Sequence, residues 1–324
     1  MRYLITGITG FAGPHLANLL VGDGHEVVGL VRASNGREQD IRDVVSDAVF
    51  GKLGFVYGDL THARSLDRLF KDERLDGVFH LAAQSHPPTS FLDPYETFRA
   101  NALGTVNLVE AIAARQPECR LMCCSTSEVY GDSPESAGEI TENFPIAPVN
   151  PYGVSKAAAD LYVAERARSV RLPFFITRAF SHTGPRRGRK FSISSDAYQI
   201  ARIKKGLQEP VINVGTLSSK RVVMDVRDCV RAYYLLMQKF TPGEAYNVGG
   251  DTVYTMGEVL DMMLDVRRLE VEKRVDPKLV RPIDIPVQIC NTDKCRKLTG
   301  WKPEIPMRQT LEDLLAYWEG KIHG

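Results

Sequence analysis

One stretch near the N-terminus restricts this chain more than any other. Gly7-Ile8-Thr9-Gly10-Phe11-Ala12-Gly13 follows an apolar run, Tyr3-Leu4-Ile5, and precedes an apolar-periodic segment over residues 14–21. Glycines at every third position let the backbone turn tightly and approach a pyrophosphate, while the free N–H groups of a helix start face the anion. A second apolar run, Glu26-Val27-Val28-Gly29-Leu30-Val31, comes next. Strand, glycine turn, helix and strand form the context in which such a motif reads as a dinucleotide site.

The same alternation continues. Strands are expected over 55–60, 77–83, 120–125 and 174–178, with helices over 63–70 and 95–114 and a long one from Tyr152 to 169. Beyond Arg178 the pattern changes to a helix over 195–205, a strand at 211–214, a strand-then-helix over 220–228, strands at 245–249 and 270–274, a helix over 256–267, a loop over 276–284 and a last helix over 308–319. This order predicts an α/β fold, a doubly wound parallel (Rossmann) sheet with a smaller α/β C-terminal substrate lobe. Residues 1–180 read as the dinucleotide-binding domain and 181–324 mainly as the lobe, with some segments returning to the core.

Charge and cysteines narrow the function classes. A net charge of +1 supplies no field for nucleic acid or a membrane surface. No apolar run reaches the roughly 20 residues of a membrane span. The N-terminus enters a strand pattern directly, without a signal-peptide layout, and a cytoplasmic protein is expected. The cysteines, Cys119, Cys123, Cys124, Cys229, Cys290 and Cys295, lack zinc spacing and read as buried reduced thiols; no metal is expected.

Chemistry-bearing residues fall at strand ends. Arg32 ends the second strand, with Ser34, Asn35 and Arg37 behind it, and suits an adenosine 2′-phosphate, hence NADP, with NAD as the alternative. Asp59 and Leu60 can meet the adenine, and the small Ala82 and Ala83 let a ribose or nicotinamide approach. The Gln84-Ser85-His86 loop lies where open α/β sheets bind ligands. Asn101, mid-helix, is read as supporting the active site. Thr126-Ser127-Glu128 delivers a hydroxyl and a carboxylate to the end of a central strand. Tyr152 and Lys156 share a helix face, and a nearby ammonium is expected to lower the phenol's pKa for proton abstraction from an alcohol. The basic run Pro185-Arg186-Arg187-Gly188-Arg189-Lys190 can grip phosphates.

Taken together, the glycine motif, Asp59-Leu60, His80-Leu81-Ala82-Ala83, Asn101, Ser125 through Gly131 and Tyr152-x-x-x-Lys156 resemble the extended short-chain dehydrogenase/reductase family over almost the full length. Ala83-Gln84-Ser85-His86, Ala102-Leu103-Gly104-Thr105, Pro185-Arg186-Arg187-Gly188 and Arg281-Pro282 are similar to its nucleotide-sugar branch, in particular the GDP-mannose 4,6-dehydratases. The resemblance implies a lyase with tightly bound NADP and the catalytic set Thr126, Glu128, Tyr152 and Lys156. It places Gly7, Thr9, Gly10, Phe11, Ala12, Gly13, Arg32, Asp59, Leu60, Leu81, Ala82, Ala83, Ser85, Asn101, Tyr152, Lys156 and His182 at the cofactor. Ser85, Ser127, Glu128, Ser181, Arg187, Lys190, Arg221 and Arg281 fall to the substrate. Ser181 stands where these dehydratases have asparagine, and Val222-Val223 where they have Asp-Trp. Residues 281–303 are similar to the sister reductase of GDP-4-keto-6-deoxy-mannose, which leaves that activity, or a dehydratase or epimerase of another nucleotide sugar such as a GDP-heptose, as alternatives. Pairing through helices 95–114 and 152–169 implies a homodimer or homotetramer.

Overall fold

The computed structural model describes residues 1–32, 36–132, 138–280 and 285–322. The apolar runs become β1 (Arg2–Thr6), β2 (Glu26–Val31), β3 (Leu53–Tyr57), β4 (Gly77–His80), β5 (Arg120–Thr126) and β6 (Phe174–Ala179). After them come β7 (Ser181–Thr183), β8 (Val211–Val214), β9 (Lys220–Asp225), β10 (Ala245–Val248), β11 (Val253–Thr255), β12 (Glu272–Val275) and β13 (Val287–Gln288). Seven strands form one sheet in the order β10-β6-β5-β4-β1-β2-β3. Every neighbouring pair in it is parallel.

Helices cover both faces, which is why these strands are apolar without alternation. On one face Leu16 and Leu20 of helix Ala12–Gly22, and Tyr233 and Leu236 of helix Val226–Gln238, pack against Tyr3, Ile5 and Phe79. On the other, Leu66, Leu108, Ile112 and Val163 from three helices pack against Leu4, Val78, Leu121 and Phe174. After β3 the chain crosses to β4 on the far side of β1. The reversal opens a crevice at the C-terminal strand ends, where such sheets bind ligands.

The lobe is built around β9, which pairs with β11 antiparallel and with β7 and β13 parallel. β8 and β12 form a separate pair. Helices Ser192–Lys204, Met256–Arg267 and Met307–Lys321 enclose a core containing Ile212, Leu260 and Leu314. β10, from the second half of the chain, returns to the edge of the large sheet beside β6.

Several expected elements differ in detail. The helix over 95–114 is two α segments, Pro94–Phe98 and Gly104–Arg115, joined by a π turn at Arg99–Leu103. Thr105 Oγ1 donates to Asn101 O at 2.6 Å, drawing off a carbonyl that the helical ladder would otherwise use. β3 stops at Tyr57, so Asp59 and Leu60 lie in the loop beyond it. Residues 87–92 form a short helix started by Pro87, which the loop read over residues 84–88 did not anticipate. β7, β11, β13 and helix Asp293–Thr299 are too short to leave a periodic signal.

Candidate active site

The glycine turn owes its composition to packing. Gly7 has φ +74°, and a Cβ there would stand 2.8 Å from Ala82 N. A Cβ on Gly13 would stand 2.5 Å from Gly7 O and 2.6 Å from Ile8 Cα, so the helix lies directly on the turn. Gly10 N donates to Gly7 O at 2.9 Å. Phe11 stacks on His182 with ring centroids 5.7 Å apart, bringing β7 onto the turn.

A buried chain of hydrogen bonds ties the strand ends to the Tyr152 helix. Thr105 commits its proton to Asn101 O, so it accepts from His80 Nε2 at 2.9 Å. His80 Nδ1 then accepts from Thr6 Oγ1 at 2.7 Å, and Thr6 accepts from Ala82 N at 3.2 Å. Burial, with the Lys156 charge adding to it, pushes the His80 pKa down to about 3, so the ring is neutral and the chain has one direction. Asn101 Oδ1 accepts from Gln84 N at 2.8 Å, and its Nδ2 donates to Gln84 O at 2.9 Å and Ser155 Oγ at 3.0 Å. Ser155 Oγ donates to Tyr152 O at 2.7 Å.

Helix Pro151–Ser169 starts at Asn150, whose Oδ1 accepts from Gly153 N at 2.7 Å, with Pro151 following. Ser90 Oγ takes up the Tyr152 N–H at 3.0 Å. Asn150 Nδ2 donates to Glu128 Oε2 at 2.8 Å, so one side chain caps the helix and holds the carboxylate. The Thr126 side chain lies close enough to the Tyr152 hydroxyl to oppose the rise of its pKa. Thr126, Glu128 and Tyr152 therefore meet at the end of β5.

The electrostatics differ from the sequence expectation. Burial raises the Tyr152 pKa above the usual tyrosine value; Cys124 and Glu128 add to the rise, while Thr126 and Arg187 oppose it. The Lys156 charge is not among the largest influences on Tyr152, but it acts on His80 and Cys123 at the floor of the sheet end. Sharing a helix face with Tyr152 is thus insufficient for Lys156 to offset that burial. Arg187 lies with its guanidinium 3.5 Å from the Phe191 ring centre and 4.7 Å from that of Phe11. Burial pushes its pKa down to about 10, with Tyr152, Cys229 and Tyr233 pulling it up. A desolvated cation over the glycine turn fits a bound phosphate. The Ser125 hydroxyl, at the same strand end, is buried without a partner among the described residues, as a group awaiting a polar ligand would be.

The remaining expected residues distribute as follows. Asp59 is half-buried; burial would raise its pKa, but hydrogen bonds from Thr61 and the Arg32 charge hold it below the usual value. Arg32, Ala83, Ser85 and Lys190 are exposed, and Leu81, Ala82 and Ser181 half-buried. Arg37 pairs with Asp40 at 2.7 Å. Burial, with Arg187 next, pushes the His182 pKa down to about 4. Ser127 is buried and bonds Gln288 of β13 at 3.1 Å. Arg221 is buried and donates to the carbonyls of Lys220 and Ile285. Val222 and Val223 are core residues, so their departure from Asp-Trp concerns packing rather than a surface that meets ligand. Arg281, Ser34 and Asn35 lie outside the described residues. Asn150, Ser90 and Gln288 went unread; Asn150-Pro151 is an N-cap signal that points to the first of them. All six cysteines are free thiols. Among the described residues no His, Cys, Asp or Glu cluster could hold a metal ion. Nor is any helix of the described residues long and apolar enough to cross a membrane.

A seven-stranded Rossmann sheet with a glycine turn and a Tyr-x-x-x-Lys helix at its C-terminal strand ends defines an enzyme of the extended short-chain dehydrogenase/reductase class. Within it, the chain belongs to the GDP-mannose 4,6 dehydratase family, matching over residues 4–314. It is 32% identical to the GDP-6-deoxy-D-mannose reductase of Pseudomonas aeruginosa, covering 99% of this chain and 98% of that protein. It is 32% identical to GDP-mannose 4,6 dehydratase 2 of Arabidopsis thaliana over 93% of this chain and 82% of that one. The structure of RMD from Pseudomonas aeruginosa complexed with NADPH superposes with TM-score 0.84 at 30% identity over 99% of both chains.

Proposed function

We propose that this enzyme is a GDP-sugar 4,6-dehydratase, converting GDP-mannose to GDP-4-keto-6-deoxy-mannose with tightly bound NADP. The observation that carries the reading is the meeting of the Thr126 hydroxyl, the Glu128 carboxylate and the Tyr152 phenol at one strand end. A simple alcohol dehydrogenase or ketone reductase has no use for the carboxylate.

The glycine turn with Thr9, Phe11 and Ala12 would hold the cofactor's diphosphate, Arg32 the 2′-phosphate, and Asp59 with Leu60 the adenosine. Leu81, Ala82, Ala83, Ser85, Asn101, Lys156 and His182 would line its nicotinamide half. NADPH in one related structure supports this choice, and NAD in another keeps NAD as the alternative. When bound, NADP accepts a hydride and later returns it, ending unchanged. Tyr152, deprotonated for this step, takes the 4-hydroxyl proton as C4 becomes a ketone, and Thr126 donates to that oxygen. The ketone acidifies the C5 proton, and Glu128 removes it. The electron pair forms a C5–C6 double bond, and the C6 hydroxyl leaves with a proton as water. C6 takes the returned hydride and C5 takes the proton passed back from Tyr152, so the sugar loses only water and Tyr152 ends as it began.

The division at residue 180 follows from the same reading, with the lobe presenting Arg187 and Lys190 to the nucleoside diphosphate and Ser181 to the sugar. Ser127 and Arg221, held to Gln288 and to backbone carbonyls, would shape that wall. Leu103, Val154 and Leu161 leave apolar surface on the helices expected to pair two subunits, which supports a homodimer or larger.

A second reading, reduction of a GDP-4-keto-6-deoxy sugar, is favoured by the Pseudomonas reductase, which the chain matches end to end. One experiment separates them. Purified protein given GDP-mannose and no added cofactor should form the 4-keto sugar, detected by its absorbance in alkali. Glu128→Gln should abolish that turnover. Product only from a keto-sugar plus NADPH would establish the reductase instead.

A further inference from the structure

Arg186 and Arg187 are adjacent yet serve different places. Arg186 takes φ +73°, a backbone conformation L residues avoid, and this turns its side chain away from the Arg187 pocket. Its guanidinium donates to Thr9 O at 2.6 Å and Gly10 O at 3.0 Å, the two carbonyls on the back of the glycine turn. The same fork reaches Asp40 O at 2.5 Å and the Asp43 carboxylate at 3.1 Å, both in the turn Glu38–Asp43 that follows β2. Asp43 also accepts from Tyr317 at 3.2 Å and from Lys321 at 2.5 Å, both on the C-terminal helix. Only 7% of the Arg186 side chain is exposed.

We propose that Arg186 and Asp43 form a clasp that positions the phosphate-binding turn and retains the dinucleotide. The argument is topological. The amides on the front of the turn can face a diphosphate only if its carbonyls find donors behind, and Arg186 supplies two. Its other contacts reach the segment beside the adenosine end, and Asp43 carries the link on to the C-terminal helix. The lobe cannot lift away from the turn without breaking all of them together. Arg186 touches no cofactor atom in this scheme; it is a positioning residue. A clasp suits an enzyme whose cofactor ends each cycle unchanged and has no need to leave, so the inference rests on the cofactor half of the proposed function.

The test is the dissociation rate of NADPH and of NADH from the wild type and from Arg186→Gln and Arg186→Lys, followed by displacement of nicotinamide fluorescence. Arg186→Gln should raise the rate roughly tenfold for both dinucleotides, with the melting temperature of the free protein within a few degrees of wild type. Arg186→Lys, which keeps the charge and loses the fork, should fall between. If Arg186→Gln does not fold, Tyr317→Phe removes one donor to Asp43 and should raise the rate about threefold. A folded Arg186→Gln protein, or failing that Tyr317→Phe, with unchanged dissociation overturns the clasp and leaves the function standing. An effect confined to NADPH would make Arg186 a direct 2′-phosphate contact and also overturn it. A wild type that holds neither dinucleotide sinks the functional reading and the clasp with it.

Discussion

Asn150 joins two parts of the site that lie far apart in sequence: its Nδ2 donates to Glu128 Oε2 at 2.8 Å while its Oδ1 accepts from Gly153 N at 2.7 Å. The cap oxygen and the carboxylate donor are different atoms, so they can be separated by substitution. Serine at position 150 keeps an N-cap and loses the reach to Glu128. Asn150→Ser should leave the melting temperature within a few degrees of wild type while lowering kcat for dehydration roughly tenfold, KM changing little. Asn150→Ala should show the same kinetic loss plus about 1 kcal/mol of lost stability. Unchanged kcat in Asn150→Ser would remove Asn150 from the positioning of Glu128.

Asp196 gives the protein a pH dependence with a definite sign. It lies in helix Ser192–Lys204, 7% exposed, and burial alone pushes its pKa up to about 7 from 3.8. The folded state therefore binds its proton more tightly than the unfolded chain. The stability it contributes is fully present below pH 3.8 and is lost as pH rises through about 7. Asp196→Asn, which stays neutral, should melt higher than wild type at pH 8, the gap narrowing as pH falls toward 4. Parallel melting curves across that range would show that Asp196 acquires a partner in solution.

Gly13 tolerates no side chain. A Cβ would stand 2.5 Å from Gly7 O and 2.7 Å from Ile8 O, both backbone atoms that cannot rotate aside. Gly13→Ala should cost roughly 1–3 kcal/mol in denaturant unfolding and weaken dinucleotide binding at least tenfold. Wild-type affinity in that variant would mean the turn is softer than its packing implies.

The subunit count can be read from exposed apolar groups. Leu161 is 53% exposed and Leu103 50% exposed on the helices proposed to pair. Light scattering should give at least twice the chain mass of 36.1 kDa, and Leu161→Arg should shift it toward one chain. A single-chain mass for the wild type would refute the pairing.

The alternation of strand and helix, the glycine turn and the Tyr152–Lys156 helix were legible in the sequence because each is local. Apolar periodicity sets strands and helices, and the glycines answer to a turn only a few residues long. Short elements escaped for the complementary reason: β7, β11 and β13 are strands only because β9 passes beside them. Asp59 fell outside its strand, and the π turn at Asn101 came from a hydroxyl one helical turn away.

The site divides in the same way. Residue types and spacing determined that Thr126, Glu128, Tyr152 and Lys156 would share a strand end and the helix beside it. Only the tertiary structure decided which charges reach which groups. Burial raises the Tyr152 phenol, Lys156 acts on His80 and Cys123, and Arg187 arrives from the lobe to oppose the rise. Adjacent arginines read alike in sequence, yet one backs the glycine turn and the other faces the site, because a single left-handed residue turns them apart. Desolvation and field depend on distances through space, which a linear sequence does not carry.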